Sequence, residues 1–134
     1  MRVCVFKGFW GVADTEKYPK AIFAFGDNNI GQGIGGQAII RNCPNAMGIP
    51  TKKLPTLSLD AFYTDAEYDD NVKRIAAAVT AILRKLKSGD YDMLILPNDG
   101  LGTGLAKLPE KAPRTYAYLQ GAVASMASAV RVLG

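Results

Sequence analysis

Two glycine-rich stretches carry most of the chemistry this sequence offers. The first reads FGDNNIGQGIGGQAII and the second LPNDGLGTGLAKLP. In the first, Gly31, Gly33 and Gly36 satisfy G-x-G-x-x-G between a strand-like run and a helix-like one. Glycines so placed let the backbone approach a pyrophosphate, and a helix start supplies free N–H donors. The register differs from that of a dinucleotide-binding unit, where the first glycine directly follows the strand. Here Asp27, Asn28, Asn29 and Ile30 intervene, which argues against a nicotinamide-dependent dehydrogenase. In the second stretch Gly100, Gly102 and Gly104 alternate with Leu101, Thr103 and Leu105. Such a run can turn successive N–H groups toward an anion. It lacks the Lys–Ser/Thr ending of a phosphate-binding ATPase loop. Two anion-cradling loops point to a diphosphate held between them. The plainer alternative is that these glycines only make tight turns.

Few other side chains can do chemistry. The chain has no histidine, so any catalysis falls to carboxylates, Lys, Tyr, amides or backbone N–H groups. Asp27 beside Asn28 and Asn29 is either a group that positions a water or an Asx turn at a strand end. Asp99, before Gly100, is either a general base or a turn residue. Trp10, the one tryptophan, either sits in the core with a partner for its indole N–H or stacks on a base at a cleft edge; Gly8 and Gly11 around it favour the edge. Lys52 and Lys53 read as a solvated basic loop or as phosphate contacts. Cys4 and Cys43 have no metal-binding spacing, and no metal or other cofactor is expected.

The elements that must position these residues follow from periodicity. Arg2–Lys7 alternates and reads as a strand; Ala21–Phe25 and Asp92–Leu96 are short apolar runs of buried-strand type. Gln37–Arg41 reads as a short helix, Ala46–Ile49 as a strand stopped by Pro50, and Thr51–Ala61 as loop. Tyr68, Val72, Ile75, Val79, Ile82 and Leu86 draw one apolar stripe of a long helix. Thr64 and Glu67 form a capping-box pattern before it, and Gly89 stops it. A last helix starts near Pro113, with Tyr116, Leu119, Val123, Met126 and Val130 on its inner face. Strands alternating with helices give a mainly parallel sheet with flanking helices. Ligands of such sheets bind outside the carboxyl ends of the strands, where both glycine loops open.

The 134 residues fit one domain, 1–134, with no linker or repeat. A formal charge of +4 suits an anionic partner but does not by itself mark a nucleic-acid binder. No apolar run approaches a membrane span, and the start lacks signal-peptide character, so a cytoplasmic location without membrane partners is expected.

In order along the chain, the layout resembles a macro domain, the ADP-ribose-binding module, of the small phage and bacterial type. The match covers the first strand ending at Lys7-Gly8-Phe9-Trp10, the stretch IFAFGDNNIGQGIGGQAII, and the loop ILPNDGLGTGLAKLP, the most specific of the three. The resemblance implies a three-layer α/β/α fold with a mixed, mainly parallel sheet. It implies that Asn28 or Asn29 contacts the distal ribose. Gly33, Ile34, Gly35 and Gly36 would wrap the pyrophosphate, with Asp27 at the head of that loop. Gly100, Leu101, Gly102, Thr103, Gly104 and Leu105 would hold the diphosphate from the other side, with Asp99 at the mouth. The family's adenine-reading aspartate corresponds to Phe9, and its N-A-A-N motif is not intact. Phe9 or Trp10 would then stack on the base. The expected activity is binding of ADP-ribose or a related nucleotide diphosphate. Hydrolysis of an ADP-ribose derivative would rest on Asn28, Asn29 and Asp99. The alternative of another class is a non-catalytic module that meets nucleic acid or a host protein through a basic surface, such as Arg84, Lys85 and Lys87.

Overall fold

The computed structural model describes residues 1–133. Four strands, β1 (Arg2–Val5), β2 (Ala21–Asn28), β3 (Ala46–Lys52) and β4 (Met93–Leu96), form one sheet in the order β1-β4-β2-β3. Every pairing is parallel, so the expected mixed sheet is in fact wholly parallel. β4 lies between β1 and β2, and Met93 pairs with both Arg2 and Ala21.

Alternation along the buried strands divides the core in two. Ile22, Ala24, Ile49 and Leu94 face two long helices, α2 (Tyr68–Lys87) and, after the four-residue α3 (Leu108–Lys111), α4 (Pro113–Val132). Ala21, Phe23, Phe25 and Ile95 face the other way, toward Trp10, Ala38 and Ile40. That second face has a thinner cover: α1 (Val12–Lys17) and a 3₁₀ turn, Gly36–Ile40. The result is a three-layer α/β/α arrangement.

The predicted stripe of α2 faces inward, with Ile75, Ile82 and Leu86 fully buried. The predicted face of α4 does the same through Leu119, Met126 and Val130. Several local expectations are corrected. α1 is too short to show a stripe and was not anticipated. The short helix expected at Gln37–Arg41 is a 3₁₀ helix one residue earlier, Gly36–Ile40. β3 runs through Pro50 to Lys52, because an edge strand tolerates a missing N–H. Leu59–Ala61, within the expected loop, is a 3₁₀ turn. The Thr64–Glu67 pattern caps nothing reciprocally; the two side chains bond each other and Glu67 also takes Lys53 Nζ at 2.9 Å.

α4 lacks a side-chain cap of its own, since its N-cap is Ala112. Asp65 supplies one from far upstream. One carboxylate oxygen accepts the Arg114 N–H at 2.9 Å, and the other accepts the Thr115 N–H and hydroxyl, each at 3.0 Å. Partial burial opposes the Asp65 charge. The two N–H groups, the hydroxyl and the Arg114 guanidinium outweigh it and hold the carboxyl below its ordinary value.

Candidate functional site

β2 and β4 are neighbours, yet the chain leaves them toward opposite faces of the sheet. After β2 it turns to the thin layer, where Ala38 and Ile40 pack. After β4 it turns to the helical layer, where Leu108 and Leu119 pack. Divergent exits from adjacent parallel strands open a crevice at the carboxyl ends, the position at which such folds bind ligands.

A cleft of about 210 Å³ occupies that crevice. Its walls are Gly26, Gly35, Gly36 and Gln37 on one side and Asp99 with Gly102–Ala106 on the other; Phe9 stands at the rim. A small side compartment of about 30 Å³ reaches Trp10 and Pro97 and shares Phe9, Gly36, Gln37 and Asp99 with it.

Gln37 braces the two walls. Its Oε1 accepts the Gly26 N–H at 2.8 Å, and its Nε2 donates to the Gly100 carbonyl at 2.9 Å. Its own carbonyl accepts the Trp10 indole N–H at 2.9 Å. Sequence reasoning passed over Gln37, because a glutamine in a glycine-rich run carries no motif. Its signal was only its place, directly after the last glycine of the first loop.

Trp10 is therefore a core residue rather than a cleft-edge platform. It is 7% exposed and packs edge-on against Phe6 and Phe23. Its neighbour Phe9 is 91% exposed.

The second loop is shaped by sterics. Gly102 has φ +79°, and a Cβ there would lie 2.9 Å from Leu108 Cδ2 and 3.0 Å from Leu108 Cβ. Only glycine fits that backbone and that contact. The Leu108 N–H bonds the Gly102 carbonyl at 2.8 Å, and the Thr103 hydroxyl donates to the Asp99 carbonyl at 2.6 Å. Among the described residues, no backbone N–H from Gly102 to Ala106 donates to a protein acceptor, nor do those of Gly35 and Gly36. Both walls thus offer unspent donors. Asp99 is the only ionisable side chain in the lining.

Of the expected site residues, the structure brings Phe9, Gly35, Gly36, Asp99, Gly102, Thr103, Gly104 and Leu105 together. The rest lie elsewhere. Asn28 makes the Asx turn: its Oδ1 accepts the Ile30 N–H at 3.2 Å and its Nδ2 donates to the Gln32 carbonyl at 2.7 Å. Asn29 Oδ1 accepts the hydroxyl of Tyr63, whose burial pushes its acidity well out of the ordinary tyrosine range. Asp27 pairs with Arg41 at 2.6 Å, and Arg41 also binds the Gly33 carbonyl at 2.7 Å. Those contacts hold the first loop rather than face the cleft. Ile34, 62% exposed, lines a separate surface groove beside α1. Gly100 and Leu101 turn toward α4.

Lys52 is buried, with Nζ on the Thr56 carbonyl at 2.5 Å and over the Phe62 ring, so it is no solvated basic loop residue. Its burial lowers its ammonium below the ordinary lysine value. Arg84, Lys85 and Lys87 end α2, which returns from β3 to the start of β4, at the amino end of the strands, opposite the cleft. Among the described residues, no group of three His, Cys, Asp or Glu could hold a metal ion, and no helix is long and apolar enough to cross a membrane.

No curated protein and no solved structure matches the chain. One family model does, over residues 5–122, a span that runs from the end of β1 into α4 and includes both glycine loops. The chain belongs to that family, a family of unknown function (DUF7831).

Proposed function

We propose that this protein binds ADP-ribose or a related nucleotide diphosphate in the cleft between the two glycine loops. The observation that carries the reading is the pair of backbone walls at the β2–β4 exit, with unspent N–H groups from Gly35, Gly36 and Gly102–Ala106. Fixed N–H donors hold a diphosphate without a cation, as nests do, and the lining contains no Lys or Arg. The Asp99 carboxylate, an acceptor only, suits the hydroxyls of a ribose beside the diphosphate. The macro-domain resemblance of the loops supports the same ligand class.

Of the three residues expected to act in hydrolysis, Asp99 alone lines the cleft; Asn28 and Asn29 are spent on the loop and on Tyr63. The reading is accordingly one of binding.

Isothermal titration with ADP-ribose, ADP and NAD tests it. ADP-ribose should bind more tightly than ADP, and amide signals of residues 35–37 and 102–106 should move. Millimolar ADP-ribose that moves neither the thermal midpoint nor those amides overturns it.

A further inference from the structure

Resting on that diphosphate reading, we infer that the site is indifferent to the base of its nucleotide, with Phe9 as the platform on which any base stacks outside the cleft. The size of the cleft sets what it can enclose. Pockets that enclose a drug-sized ligand measure roughly 300–1,000 Å³, whereas this cleft and its side compartment are about 210 and 30 Å³. That room suits a diphosphate and one pentose. A base attached to them must lie at the rim.

The rim is apolar where the floor is polar. Phe9 is 91% exposed and Leu105 63% exposed, and both line the cleft. The backbone that carries Phe9 is anchored, because the next residue, Trp10, is buried and bonded to the Gln37 carbonyl. A solvent-exposed ring beside a diphosphate cradle is a stacking surface, and every base has a π-face to offer it.

Reading a base needs free donors and acceptors aimed at its edge, and few remain. Both ends of the Gln37 carboxamide are engaged, with Gly26 and Gly100. The Thr103 hydroxyl donates its proton to the Asp99 carbonyl. Among the side chains of the main cleft Asp99 is left, already accepting from the Asn98 amide of the side compartment at 3.3 Å; as an acceptor it can take a hydrogen bond from an amino or imide group of any of the common bases. A base stacked on Phe9 keeps its edges in water.

The test is titration of the full chain with ADP, GDP, CDP, UDP and inorganic diphosphate. It is repeated on Phe9→Ala, Phe9→Trp and, as a control distant from the cleft, Leu57→Ala. The four nucleotides should bind within about threefold of one another. Inorganic diphosphate should bind about tenfold more weakly. Phe9→Ala should weaken every nucleotide severalfold toward the diphosphate level without changing diphosphate itself; Phe9→Trp should retain their affinity. Thermal unfolding of each variant confirms that the fold is kept. A preference for one base beyond tenfold, or nucleotide binding untouched by Phe9→Ala, overturns the inference and leaves the diphosphate reading standing. Failure of all five ligands to bind overturns the inference, and failure of ADP-ribose as well overturns the diphosphate reading.

Discussion

Replacing Gln37 by Glu tests the brace between the cleft walls. The new carboxylate keeps an oxygen for the Gly26 N–H, now 2.8 Å from Oε1. It loses the N–H that donates to the Gly100 carbonyl across 2.9 Å and sets a charged oxygen against that carbonyl. The Gly100 end is exposed, so water replaces part of the loss, and the cost at pH 7 is about 1 kcal/mol. For a chain of this size that lowers the thermal midpoint by about 3–5 °C. Gln37→Ala also strips the acceptor from the partly buried Gly26 N–H and costs about 2–3 kcal/mol. The introduced carboxyl can donate to Gly100 only when protonated, so folding raises its pKa above the ordinary value of about 4.3. A raised folded value means that its stabilising bond is present in acid and lost as pH rises through that value. The deficit of Gln37→Glu against the natural protein should therefore be full at pH 7 and shrink near pH 4, while that of Gln37→Ala should not. Urea unfolding read by the single tryptophan, which is bonded to the Gln37 carbonyl, measures all three. A Gln37→Glu variant as stable as the natural chain at pH 7, or a deficit unchanged at pH 4, refutes the brace.

Gly102→Ala should cost about 2–4 kcal/mol in thermal unfolding, from left-handed strain plus overlap with Leu108. Gly104→Ala, which meets nothing within 4 Å, should stay within about 0.5 kcal/mol of the natural chain. Asp65→Ala should destabilise by about 1–2 kcal/mol at neutral pH, as loss of a helix cap does. The Asp65 carboxyl is held below its ordinary value, so that advantage persists above pH ~4 and fades as pH falls through the lowered value; paired melts of the two proteins at pH 7 and pH 3 check the sign.

The long elements were legible because they repeat. Six apolar residues at spacings of three and four betray α2, and continuous apolar runs betray β2 and β4. α1 was not legible, because six residues make less than two turns and Thr15, its one buried residue, is polar. The carboxyl-end location of both loops followed from topology, and the second loop lines the cleft through Gly102–Ala106 but not through Gly100 or Leu101. Of the two readings open for the acid and amide group at Asp27–Asn29, the structure shows the turn, for a reason outside its own sequence. Arg41, Gln32 and Tyr63 claim those side chains, and none of the three is marked by a motif. Gln37 escaped notice for the same reason: its importance lies in which carbonyls and amides come within its reach.

The place of β4 has a consequence for the order in which the molecule comes into being. Arg2 and Ala21 both pair with Met93, so the last strand synthesised is an inner one. At ordinary translation rates β2 waits roughly 4–14 s for the partner that joins it to β1. Until then each carries an open edge, the kind that invites pairing with another chain. Contacts this distant along the chain place folding on the slow side, in milliseconds to seconds. A nascent chain halted before residue 93 already holds the first glycine loop and has no cleft at all. Binding competence thus arrives in one late event, when β4 slots between two strands made long before it.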